Sequence, residues 1–190
     1  MKKLLAIIVL GLLWCNTTQA DDIRDFEIEG MSIGDSLLDF YNENEINKNY
    51  WPHSKKYYYS WFTIDDSNQY SEVQVMIKDN DKKYIIEGFR AGKTFPNKID
   101  ECLKEKDKLI KEVKQIIGNN VQLNNYPKYE HSNSYPNSFV YSTQFDFKNN
   151  DLIRIYCLDW STKVSEDKGW KDNLSLSIST ADYRKFLLNF

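Results

Sequence analysis

From Asn97 to Gly118 the apolar residues Ile99, Cys102, Leu103, Leu109, Ile110, Val113, Ile116 and Ile117 recur at three- and four-residue spacing, with Lys and Glu between them. Such a stripe specifies an amphipathic helix. Asn97 stands where an N-cap belongs and Gly118 where a C-terminal cap does. About 20 residues rising 1.5 Å each make a rod of roughly 30 Å, enough to cross a whole sheet. A helix with one apolar face must bury it, and the flanking segments are suited to receive it.

Those flanks have period two. Tyr57, Tyr59, Trp61 and Thr63 alternate with Tyr58, Ser60, Phe62 and Ile64, as in a strand packed on both faces. Val73, Val75 and Ile77 alternate with Glu72, Gln74 and Lys78; Asp79-Asn80-Asp81-Lys82 turns; and Lys83 to Ala91 returns. After the helix, Phe139, Tyr141, Thr143, Phe145 and Phe147 share a face, Lys148 to Asp151 turns, and Leu152 to Trp160 returns. Leu174, Leu176 and Ile178 then alternate with Ser175, Ser177 and Ser179. Each half thus reads as three strands followed by a helix, the last one capped by Thr180 and carrying Ala181, Phe186, Leu187 and Phe190.

Elsewhere the pattern is looser. Ile23 to Glu29 is a short strand or an extended arm. Ser32 and Asp35 begin an N-terminal helical lobe over 33–48, with Ile33, Leu37, Leu38 and Tyr41 on one face and a second capping pair at Asn42 and Glu45. Asn119 to Asn137, rich in Asn, Ser, Tyr and Pro, is expected to be a long loop, and loops of that length are functional or mobile. The predicted fold is α+β: one domain over 21–190, an antiparallel sheet of about six strands in two meanders, one long covering helix, and short N- and C-terminal helices.

The first twenty residues set the compartment. Lys2 and Lys3, the apolar run Leu4 to Trp14, and Thr18-Gln19-Ala20 before Asp21 have the build of a secretory signal peptide. The run ends at Asn16 and Thr17, short of the roughly 18 residues a membrane anchor needs, so no stable membrane insertion is expected after cleavage. Bulky Trp14 beside Cys15 disfavours lipidation. The expected destination is the bacterial periplasm or the outside.

Cleavage after Ala20 removes Cys15 and leaves Cys102 and Cys157, in an oxidising compartment where two thiols have one intramolecular pairing. Cys102 lies on the apolar side of the long helix, and Cys157 shares a strand face with Ile153 and Ile155. A disulfide is expected. It would close a loop of roughly 55 residues, worth about 4 kcal/mol on the chain-entropy estimate.

Losing Lys2 and Lys3 takes the balance from 25 basic against 28 acidic residues to 23 against 28, a formal charge of −5. An acidic protein is poorly suited to nucleic acid, which demands neutralisation of phosphates. His53 and His131 are the only histidines and belong to no metal-ligand spacing, and Asp79-Asn80-Asp81 lacks the glycine and distal glutamate of a calcium loop. No catalytic residue, metal site or cofactor is indicated. The remaining chemistry is aromatic: Tyr50 and Trp51, with Tyr126, Tyr129 and Tyr135, are candidates for a binding surface that stacks on a glycan or grips an envelope protein.

The stretch Ile28-Glu29-Gly30-Met31-Ser32-Ile33-Gly34-Asp35-Ser36-Leu37-Leu38-Asp39-Phe40 resembles the opening of small exported bacterial proteins of unknown function. Gly30-Met31-Ser32 followed by a helix and a meander is more distantly similar to the BamE/SmpA-like envelope lipoproteins, although no Gly-x-Pro follows the helix. That resemblance implies a partner-binding module of the envelope. The expected function is therefore a binding or accessory protein. The alternatives are a periplasmic hydrolase with a site near His53 or His131, or a structural envelope component.

Overall fold

The computed structural model describes residues 20–52, 56–63, 70–118 and 121–188. The expected signal peptide with Cys15, His53 and Asn119 lie outside the described residues. A 3-10 turn at Ile23–Asp25 leads into a small hairpin, β1 (Glu27–Ile28) and β2 (Met31–Ser32). Its two turn residues, Glu29 and Gly30, have φ of 53° and 78°. That is the mirror-image turn a two-residue hairpin requires, and glycine adopts it without strain.

Eight further strands make one antiparallel sheet: β3 (Tyr50–Pro52), β4 (Tyr57–Thr63), β5 (Glu72–Lys78), β6 (Ile86–Thr94), β7 (Gln122–Glu130), β8 (Phe139–Asp146), β9 (Leu152–Asp159) and β10 (Asn173–Ser179). Their order is β3-β4-β5-β6-β10-β9-β8-β7. The chain thus builds two four-stranded meanders and joins them where β6 pairs with β10. The helices are α1 (Glu43–Lys48), α2 (Ile99–Ile116), α3 (Thr162–Lys168) and α4 (Ala181–Leu188). None among the described residues is long and apolar enough to cross a membrane.

The predicted six strands become eight because both edge strands escaped the sequence pattern. The expected loop over 119–137 contains β7, whose outer edge faces solvent and needs no apolar alternation. Pro127, which has no N–H for the ladder, sits where the register between β7 and β8 shifts, between Tyr126 and Tyr129. The expected helix over 33–48 is also corrected. Gly34 N–H donates to the Ile86 carbonyl, Ile86 N–H to Asp35, and Leu37 N–H to Tyr84, so this segment is tied to the start of β6 in extended form. Only a 3-10 turn at Leu37–Asp39 and the six residues of α1 are helical, and Asn42 and Glu45 form the capping box foreseen for them.

Helix α2 runs 18 residues, about 27 Å, close to the predicted rod. It starts after Lys98, since Asn97 has φ of 55° and cannot serve as the cap. Its buried Cys102, Leu109 and Val113 pack on β9 and β10. One sheet face carries Phe62, Val75, Phe89, Leu176, Ile155 and Phe145, and it is sealed by α2 together with Ile23, Ile28, Leu37 and Ile46 of the N-terminal segment. Cys102 and Cys157 meet in this layer as a disulfide with Cα atoms 6.2 Å apart.

Candidate binding site

Among the described residues, the opposite sheet face is covered at one end. There Tyr183 and Phe186 of α4 pack on Tyr57, with Met76 and Tyr59 alongside. The helix is held by Thr180, whose hydroxyl accepts from Tyr183 N–H and donates to Glu87, and by Asp151, which accepts from Ala181 N–H at 2.7 Å.

Beyond α4 the strands expose a groove of about 940 Å³, bounded by residues of both meanders. Register defines its floor. Trp61 pairs with Gln74, Gln74 with Arg90, Arg90 with Ser177 and Ser177 with Arg154, one row across five strands. In the next row Glu72 faces Gly92, where an added Cβ would stand 2.8 Å from Glu72 Oε1. Glycine there lets the Glu72 side chain lie across β6.

Rings stand at both ends. On the first meander Trp51 and Trp61 are 58% and 42% exposed, a pair of open rings of the kind that marks an interaction site. On the second, Trp160 and Trp170 lie 4.8 Å apart, Tyr135 contacts both, and His131 lies 5.0 Å from Trp160. Local structure explains this cluster. Trp160 follows β9, Ser161 caps α3, and Gly169, at φ of 71°, reverses the chain so that Trp170 returns beside Trp160. His131 N–H donates to the Ser138 carbonyl, and Trp160 N–H to Asp172 Oδ1 at 2.9 Å.

Both arginines are held in place. The Arg154 Nε donates to Ser142 Oγ at 3.0 Å, its Nη2 donates to the Tyr129 hydroxyl, and its guanidinium lies 4.4 Å from the Tyr156 ring centre. The Arg90 Nε donates to Ser175 Oγ at 3.2 Å. Neither guanidinium forms an ion pair with a carboxylate among the described residues. Among the described lining residues the charged side chains are Arg90, Lys93, Arg154 and Lys171 with Glu72. A protein with 25 basic and 28 acidic residues thus concentrates positive charge on one face.

No protein-family model, curated protein or solved structure matches this chain.

Of the candidate residues from the sequence, Trp51, Tyr129 and Tyr135 line the groove. Tyr126 borders a separate hollow of about 430 Å³ with Gln122, Asn124 and Arg184. Tyr50 faces the other way, its ring tilted against Tyr58 with centres 4.7 Å apart. Sequence reasoning missed Arg90, Arg154, Trp160 and Trp170. Their strand positions, alternate to the apolar ones, were readable, but their convergence depends on register. His131 is pushed below the ordinary imidazole range by burial and then by Arg154, and its Nδ1 lies 3.4 Å from Ser132 Oγ. His53, the other residue of the hydrolase reading, lies outside the described residues, and no metal-ligand cluster occurs among those described.

At the rim, burial raises the Asp172 carboxyl, and burial followed by repulsion from Asp172 raises Asp159. A raised carboxyl favours the protonated fold, so these groups weaken the protein above their folded pKa and are harmless below the unfolded one. Asp159→Asn is therefore expected to raise the melting temperature at pH 7. At about pH 3, below the ordinary aspartate range, the difference should vanish. A loss of stability at neutral pH would refute the repulsion.

Proposed function

We propose that this protein is an exported binding protein whose uncovered sheet face takes an extended carbohydrate. The observation that carries this reading is the groove between Trp51 and Trp61 at one end and Trp160, Trp170 and Tyr135 at the other, on a sheet whose other face carries the hydrophobic core. Sugar rings present flat C–H surfaces that suit the electron-rich faces of aromatics, and tryptophan supplies such contact area with few rotatable bonds. At about 940 Å³ the groove is at the large end for a small-molecule site, which favours a chain of several units. Backbone groups within a sheet are consumed by the ladder, so recognition falls to side chains. A peptide seeking main-chain hydrogen bonds finds them at a strand edge, not here. The leader and the Cys102–Cys157 disulfide support export to the periplasm or beyond.

Titration with oligosaccharides, followed by tryptophan fluorescence, tests the proposal. Trp51→Ala and Trp160→Ala should each weaken binding by about tenfold, in keeping with the loss of one stacking contact. Tyr126→Ser, outside the groove, should leave affinity unchanged. Equal loss with Tyr126→Ser, or no change with either tryptophan variant, would place the site elsewhere.

A further inference from the structure

We infer that the oligosaccharide is acidic, its negative groups held by Arg90 and Arg154. This rests on the carbohydrate reading of the groove and specifies its ligand class. Both arginines pair in register with Ser177 and stand two strand spacings apart on one face, roughly 10 Å. Each is oriented through its Nε by a serine hydroxyl, which holds the planar fork at a set angle. Arginine forks bind anionic oxygens in pairs and lose little freedom in doing so when already held.

Structural guanidiniums at such a position are commonly neutralised by a neighbouring carboxylate. Here Glu72, beside Gly92, is the acid among the described lining residues, Asp159 and Asp172 stand at the rim, and neither arginine forms an ion pair with any of the three. The concentration of cations in a chain with more acids than bases is the charge complement of an anionic ligand. Single-stranded nucleic acid shares the rings and the charge, but its closely spaced phosphates would be repelled by the rest of an acidic surface. An acidic glycan carries fewer charges, separated by stackable rings.

The experiment measures binding of oligogalacturonate and hyaluronan oligomers, each beside its own methyl ester, which keeps the rings and removes the charge. At least one acidic form should bind about tenfold or more tighter than its ester, and the gap should shrink as salt rises. Arg90→Gln with Arg154→Gln should bring the acid down to the level of the ester while the melting temperature holds. Arg154→Lys, which keeps the charge and loses the fork, should fall between. Acid and ester binding equally, or a gap that survives the double variant, overturns the acidic assignment and leaves the carbohydrate reading intact. If neither these oligomers nor neutral oligosaccharides bind, both fail. Tighter, arginine-dependent capture of a thymidine oligonucleotide overturns it in favour of nucleic acid.

Discussion

Replacing Cys102 and Cys157 with serine is expected to remove about 4 kcal/mol of stability while leaving every element in place. For a chain of this size that is a fall of roughly 10 °C in melting temperature. The bridge ties the first turn of α2 to β9 across a separation of 55 residues, so breaking it frees the unfolded chain more than it disturbs the folded one. Reduction with dithiothreitol should reproduce the fall in the parent protein and change nothing in the double variant. Mapping of peptides under non-reducing conditions should show the two cysteines joined. Two freely alkylated thiols, or a melting temperature indifferent to reductant, would refute the bridge.

Phe89→Ala should cost about 3–5 kcal/mol, the range for emptying a large buried aromatic site. Phe89 is fully buried on β6, opposite Val75 of β5 on one side and Ile178 of β10 on the other. The cavity would open beneath the junction of the two meanders. Because the junction is a continuous hydrogen-bonded pairing, both halves should melt together. Tryptophan fluorescence and far-ultraviolet circular dichroism should therefore lose signal in one coincident, lower transition. Two separated transitions would mean that the meanders are independent units.

The core was legible and the edges were not. Helix α2, β5, β8, β9 and β10 announced themselves because each buries a face, and burial writes a period into the sequence. Tyr50–Pro52 and Gln122–Glu130 border solvent and carry no such period; Pro127 and the run of Asn and Tyr made β7 look like a loop. The 33–48 segment had a helical pattern that backbone bonds to Ile86 and Tyr84 overrode, while its apolar Ile33 and Leu37 were buried all the same. Cysteine counting located the disulfide, since only one pairing was open. The groove was half legible. Trp51, Tyr129 and Tyr135 were candidate binding rings that core packing would have explained equally well, whereas Arg90 and Arg154 are 64 positions apart and become neighbours only through Ser177.

The pairing of β6 with β10 also dictates an order of events. Arg90 and Ser175, bonded across it, are separated by 85 residues, so the contact that completes the sheet has a high loop-closure cost and forms slowly. Until β10 arrives near the end of the chain, β6 and β9 are both open edges flanked by apolar strands, and α2 lacks half of the surface it covers. A nascent chain held in that condition is prone to edge-to-edge aggregation. Under the proposed export, closure of the sheet would follow passage across the membrane.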